Sequence, residues 1–301
     1  MPLPPRLFPA ARASANASPP LAEPASAPDF APGAAVMGSG IDALSTEEAC
    51  AQIAEWAAAG KSRAVAFANV HSVVGAQHDP VFGRALASCD LVLPDGAPVA
   101  WALRRLGYPA QRRVCGPDLV DPLVARLAWA GLPIFLLGST PATLAAFSEA
   151  LKARHPGVII AGAHSPPFGE WSAQERAHQR ELISRSGARV VLVGLGCPKQ
   201  ESWMASCRGS VPAVMLGLGA AFDFHAGVLA RAPKWVQRAG MEWAYRWAQE
   251  PRRLSRRYLS TNVPFLLWAA RLLTAVGLGH VERFVERFAR GRNSSDRGTF
   301  A

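Results

Sequence analysis

Short apolar runs alternate with longer amphipathic segments between residues 41 and 217, and this alternation constrains the fold most strongly. Runs of three to five apolar residues are typical of strands buried on both faces. The alternation predicts an α/β fold, a Rossmann-like parallel sheet with helices on both faces. The predicted strands are residues 64–68, 91–93, 133–137, 158–161, 190–193 and 213–216. The predicted helices are residues 45–60, 80–89, 97–106, 118–130, 141–155, 172–186 and 198–207.

Composition divides the chain of 301 residues into three parts. Residues 1–38 contain nine prolines by Pro32, so we expect a disordered leader; a partner-binding proline motif is the alternative. Residues 39–230 are nearly neutral and form the predicted α/β core. Residues 231–301 carry +9 of the total net charge of +10 and form a predicted basic, helical C-terminal appendage. No recognised nucleic-acid motif accompanies this charge, so we expect no nucleic-acid partner.

Cysteine usage and hydropathy indicate the compartment. Five scattered cysteines form neither a disulfide framework nor a CxxC metal motif, which favours a reducing cytoplasm. The N-terminus lacks a signal-peptide pattern, and no uncharged apolar stretch reaches about 18 residues, so we expect no spanning helix.

The residues that follow each predicted strand are the candidates for ligand binding, because ligands bind beyond the carboxyl ends of parallel strands. Gly138, followed by Pro141, fits a turn that lets the backbone approach a phosphate. The segment 194–201 repeats this pattern with Gly196, Pro198 as the first helical residue, and Lys199. Ordinary strand-to-helix turns are the alternative for both, but together they favour a nucleotide or nucleotide sugar.

Asp95 follows the predicted strand 91–93 and lies between Pro94 and Gly96. One interpretation is an N-cap for the next helix; the other is a general base that faces the ligand cleft. Asp223 poses the same choice between a turn and a ligand contact. His71 is expected to be structural.

The chain has no Asp-x-Asp motif, which is the usual means of holding a divalent ion on phosphate oxygens. Arginine is the expected substitute, since 28 of the 32 basic residues are arginines. We predict that Arg246, Arg253 and Arg256 converge on a diphosphate, although Pro251 interrupts the helix between them. A solvated basic face is the alternative.

Residues 263–278 are apolar except for Arg271, and the residues after them mix basic, acidic and aromatic side chains. This pattern predicts a helix on an anionic membrane surface. Packing against the body or against a partner subunit is the alternative.

Taken in order, these motifs resemble the WecG/TagA/CpsF family of glycosyltransferases over about residues 40–260. The matching residues are Asn69, Pro94-Asp95-Gly96, Trp101, Arg113, Gly116-Pro117-Asp118-Leu119, Gly138, Gly194–Glu201, Phe222-Asp223, Ala226-Gly227, Arg231-Ala232-Pro233, Glu242-Trp243, Arg246 and Glu250-Pro251-Arg252-Arg253.

The resemblance implies inverting, metal-independent transfer from a UDP-sugar to a polyprenyl-diphosphate-linked sugar, with no cofactor. It also implies a peripheral location on the cytoplasmic face of the inner membrane, and a homo-oligomer is left open. By motif match, Asp95 is the general base, and the catalytic arginines are Arg246, Arg253 and Arg256. The implied substrate-binding residues are Asn69, Gly96, Arg113, Gly138, Gly196, Pro198, Lys199, Gln200, Glu201, Asp223 and Arg231.

One position departs from the family pattern. Many relatives have Thr two residues before the Asn, where this chain has Phe67, so a role for that hydroxyl does not carry over. The form Asp95-Gly96-Ala97-Pro98-Val99 looks more like exopolysaccharide members than teichoic-acid members. The alternative to an enzyme is a non-catalytic, nucleotide-binding scaffold at the membrane.

Overall fold

The computed structural model describes residues 33–238, 240–249 and 251–281; for residues 238, 246, 253, 254, 256 and 257 it describes the backbone only. The strands of the described chain are β1 Gly33–Val36, β2 Ser39–Asp42, β3 Arg63–Ala68, β4 Leu91–Pro94, β5 Ile134–Gly138, β6 Ile160–His164, β7 Val190–Gly194 and β8 Val214–Gly217. Its helices are α1 Thr46–Ala58, α2 Val70–His78, α3 Pro80–Ala87, α4 Ala97–Arg105, α5 Gly116–Trp129, α6 Pro141–Arg154, α7 Ala173–Ser186, α8 Lys199–Cys207, α9 Ala221–His225, α10 Lys234–Arg238, α11 Glu242–Gln249 and α12 Pro251–Gly277.

Six strands form a parallel sheet in the order β4-β3-β8-β7-β5-β6. Helices cover both faces of this sheet, so the predicted α/β class is confirmed. One buried layer contains side chains of α2, α3, α4, α7, α8 and α12, and the other contains side chains of α1, α5, α6 and α9. Burial on both faces explains why the strands read as continuous apolar runs.

Local sequence signals account for most helix starts. The predicted start at Ser45 is confirmed as a capping box in which Ser45 and Glu48 exchange hydrogen bonds. The strand predicted at 158–161 begins later, at Ile160, and lies at the edge of the sheet. The helix α2 was not predicted, because its run of valines and its Gly75 do not resemble a strong helix former.

The first element of the described chain is a hairpin that was not predicted from the sequence. Strands β1 and β2 pair antiparallel through a turn at Met37 and Gly38, and β1 falls within the range predicted as leader. Ordered structure therefore extends at least to residue 33, because Val36 and Ile41 bury their side chains in the core.

The long helix α12 packs one face onto the body of the protein. Its Phe265, Trp268 and Leu272 are buried in the same layer as α2 and α4, whereas leucines on its other face, such as Leu266 and Leu273, are exposed. Tyr258–Gly277 has the length and composition of a membrane-crossing helix, with a mean hydropathy of 1.3, a property that core helices of soluble proteins share. Packing on the body and an exposed apolar face thus occur on one helix.

Asp42 at the end of β2 provides a test of how the hairpin is attached. Its carboxylate accepts a hydrogen bond of 2.7 Å from the backbone N–H of Val92 in β4, and burial raises its pKa to about 6. An acid whose pKa rises on folding stabilises the fold most when it is protonated. We therefore expect the contribution of Asp42 to the free energy of unfolding to fall by roughly 2 kcal/mol as the pH rises from 4 to 6.

The Asp42→Asn variant keeps an acceptor oxygen but cannot ionise, so its stability should lack this component of the pH dependence. Urea unfolding of both proteins at several pH values between 4 and 7 measures the difference. Parallel stability curves for the two proteins would contradict the account.

Candidate active site at the carboxyl edge of the sheet

Pairing between β3 and β4 determines where the candidate base lies. Ala68 is the register partner of Pro94, so Asn69 and Asp95 both follow directly on paired strand ends. The backbone N–H of Asp95 also donates to the carbonyl of Ala68 at 2.9 Å. The two polar residues therefore lie side by side at the edge where ligands of parallel sheets bind.

The N-cap interpretation of Asp95 does not fit the structure. The N-cap residue of α4 is Gly96, which has no side chain that could cap the helix. Gly96 has a φ of 101°, a conformation that glycine adopts without strain. Half-buried Asp95 thus lies at the end of β4, one residue before the N-cap position of α4.

Asn69 serves as the N-cap of α2 and still has polar capacity left. Its Oδ1 accepts from the backbone N–H groups of His71 and Ser72 at 3.0 and 3.3 Å. Its amide nitrogen has no hydrogen-bond partner among the described residues, so the NH₂ group is available to a ligand beside Asp95.

Two arginines and two carboxylates form a cluster close to Asp95, which we call the charge cluster: Arg113, Asp118, Arg231 and Glu242. Arg113 donates to Glu242 at 2.5 Å and to Asp118 at 3.0 Å. Arg231 lies 2.6 Å from Asp118 and 3.5 Å from Glu242. Each arginine therefore contacts both carboxylates.

Electrostatics within the charge cluster favour the ionised forms of Asp118, Arg113 and Arg231. Burial opposes ionisation of Asp118, but hydrogen bonds from Arg231 and the Cys115 thiol hold its pKa at about 2. Burial also opposes the charge on Arg113, yet neighbouring Cys115, Glu242 and Asp95 raise its pKa. The interaction with Arg113 links Asp95 electrostatically to the charge cluster.

The crevice between β5 and β7 is the topological switch point of the sheet. The chain leaves β5 toward β6 through α6 on one face, and leaves β7 toward β8 through α8 on the other face. Gly138 and Gly194 end these two strands as register partners. A Cβ on Gly138 would lie 2.5 Å from the Gly194 carbonyl oxygen, so this close approach requires glycine.

In the segment after β7, Gly196 agrees with its predicted role, whereas Pro198 and Lys199 do not. Gly196, with a φ of 77°, faces open space as a ligand turn requires. Pro198 is the N-cap of α8 rather than its first helical residue, and the Cys197–Pro198 peptide bond is cis. Lys199 turns to the loop after β6, where its ammonium group donates to the carbonyl of Gly169 and lies 3.6 Å from the centre of the Trp171 ring.

Gln200 and Glu201 are buried rather than exposed at the crevice. Gln200 donates to Glu201 at 3.0 Å and to the carbonyl of Gly217 in β8 at 2.9 Å. Burial raises the pKa of Glu201, which the hydrogen bond from Gln200 opposes. Each residue keeps one buried oxygen without a hydrogen-bond partner among the described residues.

Among the remaining candidates, the structure describes the side chain of Asp223 but only the backbone of the three C-terminal arginines. Asp223 is half-buried in α9, directly beyond β8. The side chains of Arg246, Arg253 and Arg256 lie outside the described residues; their backbones belong to α11 and α12. In the described part of the chain, no group of three or more His, Cys, Asp or Glu side chains could hold a metal ion.

A comparison with protein families identifies the family to which the chain belongs. The model of the glycosyl transferase WecG/TagA/CpsF family matches residues 34–276, from β1 almost to the end of α12. The chain belongs to this family. The match confirms the resemblance inferred from the ordered motifs and includes the hairpin, which those motifs did not cover.

For this glycosyltransferase, the structure brings together Asn69, Asp95, Gly96, Arg113 and Arg231 at one end of the site. Gly138 and Gly196 lie at the other end, across β3, β8 and β7. The sequence analysis missed the other members of the charge cluster as functional candidates. The only sequence signal for Asp118 and Glu242 was that both occur in family motifs, in segments that also contain an arginine.

Alanine substitutions at two glycines test the close approach at the switch point. Gly138→Ala should lower the free energy of unfolding by about 3 kcal/mol, because the new methyl group meets the Gly194 carbonyl in a backbone conformation that disfavours it. Gly196→Ala has a similar φ penalty but meets nothing within 4 Å, so about 1 kcal/mol is expected. Thermal and urea unfolding measure both, and equal losses would be evidence against the close contact.

Proposed function

We propose that this protein is an inverting, metal-independent glycosyltransferase that moves a sugar from a UDP-sugar to a polyprenyl-diphosphate-linked saccharide. The product would enter a bacterial exopolysaccharide or another cell-surface polysaccharide. Family membership supports glycosyl transfer, with a nucleotide-sugar donor and a lipid-linked acceptor in general. The observation that carries the finer proposal is the position of Asp95, at a strand end beside Asn69 and one residue before the N-cap of α4.

In the proposed reaction, Asp95 is the general base. Its carboxylate takes the proton of the acceptor hydroxyl while that oxygen forms a bond to the anomeric carbon of the donor. The bond from the anomeric carbon to the UDP oxygen breaks, and its electron pair leaves on the β-phosphate. One displacement from the opposite face inverts the anomeric configuration. The amide of Asn69 is suited to orient the acceptor or donor hydroxyl beside Asp95.

The leaving UDP gains negative charge, which the protein must stabilise. Arg113 and Arg231 are close to Asp95, but both are already paired with carboxylates of the charge cluster. Further positive charge is therefore assigned to Arg246, Arg253 and Arg256 of the C-terminal helices. Bidentate hydrogen bonds from guanidinium groups suit a diphosphate and support transfer without a metal ion.

The spacing of the two ends of the site supports an extended donor. Adjacent strands lie about 4.8 Å apart, so the crevice between β5 and β7 is about 17 Å from the end of β4. A nucleoside diphosphate sugar has its base and its reactive carbon at opposite ends, and it suits such a span. Phe67 is buried in the core, so the hydroxyl that many relatives have at that position has no equivalent here.

The exposed face of α12 supports peripheral binding to the cytoplasmic face of the membrane. Leu259, Leu266 and Leu273 are spaced at seven-residue intervals and are all exposed. Trp243 and Trp247 on α11 are also exposed, and tryptophan is enriched at membrane interfaces. Together with the net charge of +9 in residues 231–301, these features suit anionic lipid headgroups.

Replacement of Asp95 tests the chemical assignment. Asp95→Asn should lower kcat roughly 100- to 10,000-fold, because the amide cannot accept the proton, and should leave the affinity for UDP nearly unchanged. Product formation from UDP-sugars and a lipid-linked acceptor, together with UDP-binding calorimetry, measures both.

Asp79→Asn is the matched control, since Asp79 is an N-cap of α3 where asparagine functions equally well. If Asp95→Asn retains near-normal turnover, Asp95 is not the base. If the wild-type protein binds UDP but forms no product with any donor and acceptor, the non-catalytic scaffold is the better account.

Two acidic substitutions on the outer face of α12 test membrane binding without disturbing its buried face. The double variant Leu266→Glu, Leu273→Glu should bind anionic phosphatidylglycerol vesicles roughly 10- to 100-fold more weakly, because burial of leucine in the bilayer is lost. Trp129→Glu, at an exposed residue of α5 on the other face of the sheet, is the control. Co-sedimentation with the vesicles measures binding. Equal binding by the wild-type protein, the double variant and the control variant would contradict the proposal.

A further inference from the structure

The charge cluster joins three segments that are far apart in sequence. Arg113 and Asp118 lie just before and in the first turn of α5, Arg231 follows α9, and Glu242 is the first residue of α11. Glu242 and Arg113 are separated by 129 positions. Among the described ion pairs, the one between Glu242 and Arg113 is the only one that connects α11 to the α/β core.

The ion pairs of the charge cluster are more than surface contacts. The side chains of Arg113, Arg231 and Glu242 are only 21%, 23% and 16% exposed. Two cations face two anions, so the formal charge of the cluster is balanced. Loss of one carboxylate would leave a partly buried arginine without full compensation, which costs more than the loss of an exposed pair.

The geometry of α11 connects Glu242 to the proposed chemistry. Residue 246 is four positions after Glu242 in the same helix. It therefore lies on the same face of α11, about 6 Å further along the axis. The contact between Glu242 and Arg113 joins the first residue of α11 to the segment that precedes α5.

Arg113 also interacts electrostatically with Asp95, so the charge cluster begins beside the candidate base and ends on the helix that carries Arg246. We propose that Glu242 is a positioning residue that fastens α11 to the core through Arg113 and Arg231, and so fixes Arg246 relative to the donor diphosphate. This inference rests on the proposed function, since it assigns to Glu242 the placement of a proposed catalytic arginine.

A double-mutant cycle with the full-length protein tests the inference. Glu242→Gln keeps the shape of the side chain and removes its charge. It should lower kcat about tenfold in the wild-type background. In the Arg246→Ala background the same change should lower kcat less than about twofold, because the group that Glu242 positions is already absent.

A purely structural role for Glu242 would lower turnover by the same factor in both backgrounds, and that result would overturn the inference. Glu47→Gln is the matched control, because Glu47 pairs with Arg126 of α5 far from the site. Glu242→Asp keeps the charge and should restore part of the lost turnover. It also supplies the comparison if Glu242→Gln melts at a markedly lower temperature.

The outcomes separate the inference from the function on which it rests. If Arg246→Ala alone leaves turnover intact, the proposed role of that arginine is wrong, and the positioning role of Glu242 is wrong with it. If Arg246→Ala is slow and the two substitutions are additive, only the positioning role is wrong.

Discussion

Parallel hydrogen bonding between β3 and β4 is the constraint on which the candidate site depends. Because Ala68 and Pro94 are register partners, the next residues of both strands, Asn69 and Asp95, must lie together at the sheet edge. A shift of register by one residue would turn their side chains to the other face. The position of the proposed base is thus determined by backbone pairing deep in the core.

The second constraint is electrostatic and acts over a longer distance in sequence. The sheet alone would bring Asp95, Gly138 and Gly196 to one edge, but it would not recruit the C-terminal helices. The charge cluster provides that connection, and the buried aromatic face of α12 strengthens it. The described part of the C-terminal segment is therefore joined to the candidate site by charge and to α2 and α4 by apolar packing.

The sequence was sufficient to predict the sheet because each central strand is buried on both faces and reads as an apolar run. It was not sufficient for the hairpin β1–β2, because β1 lies in the range that was predicted as leader. It was not sufficient for α2 either, because the composition of that segment does not favour a helix. A motif can predict that Lys199 and Gln200 follow a strand. It cannot predict that Lys199 binds the Gly169 carbonyl or that Gln200 turns into the core, since side-chain direction depends on distant partners.

The charge cluster shows the same limit more clearly. Arg113 and Arg231 were predicted from motifs to bind substrate, and the structure adds that Asp118 and Glu242 already contact them. No local pattern encodes a contact across 129 positions. By contrast, the assignment of the family needed only the order of the motifs, each of which is local.

In the proposed binding mode, an extended UDP-sugar lies across the carboxyl edge of the sheet. A crystal structure of the protein with UDP tests this most directly. We predict that the nucleotide occupies the crevice at Gly138 and Gly194 and that its β-phosphate points toward Asp95. UDP bound away from this edge, or with its diphosphate directed toward β6 and away from Asp95, would contradict the account.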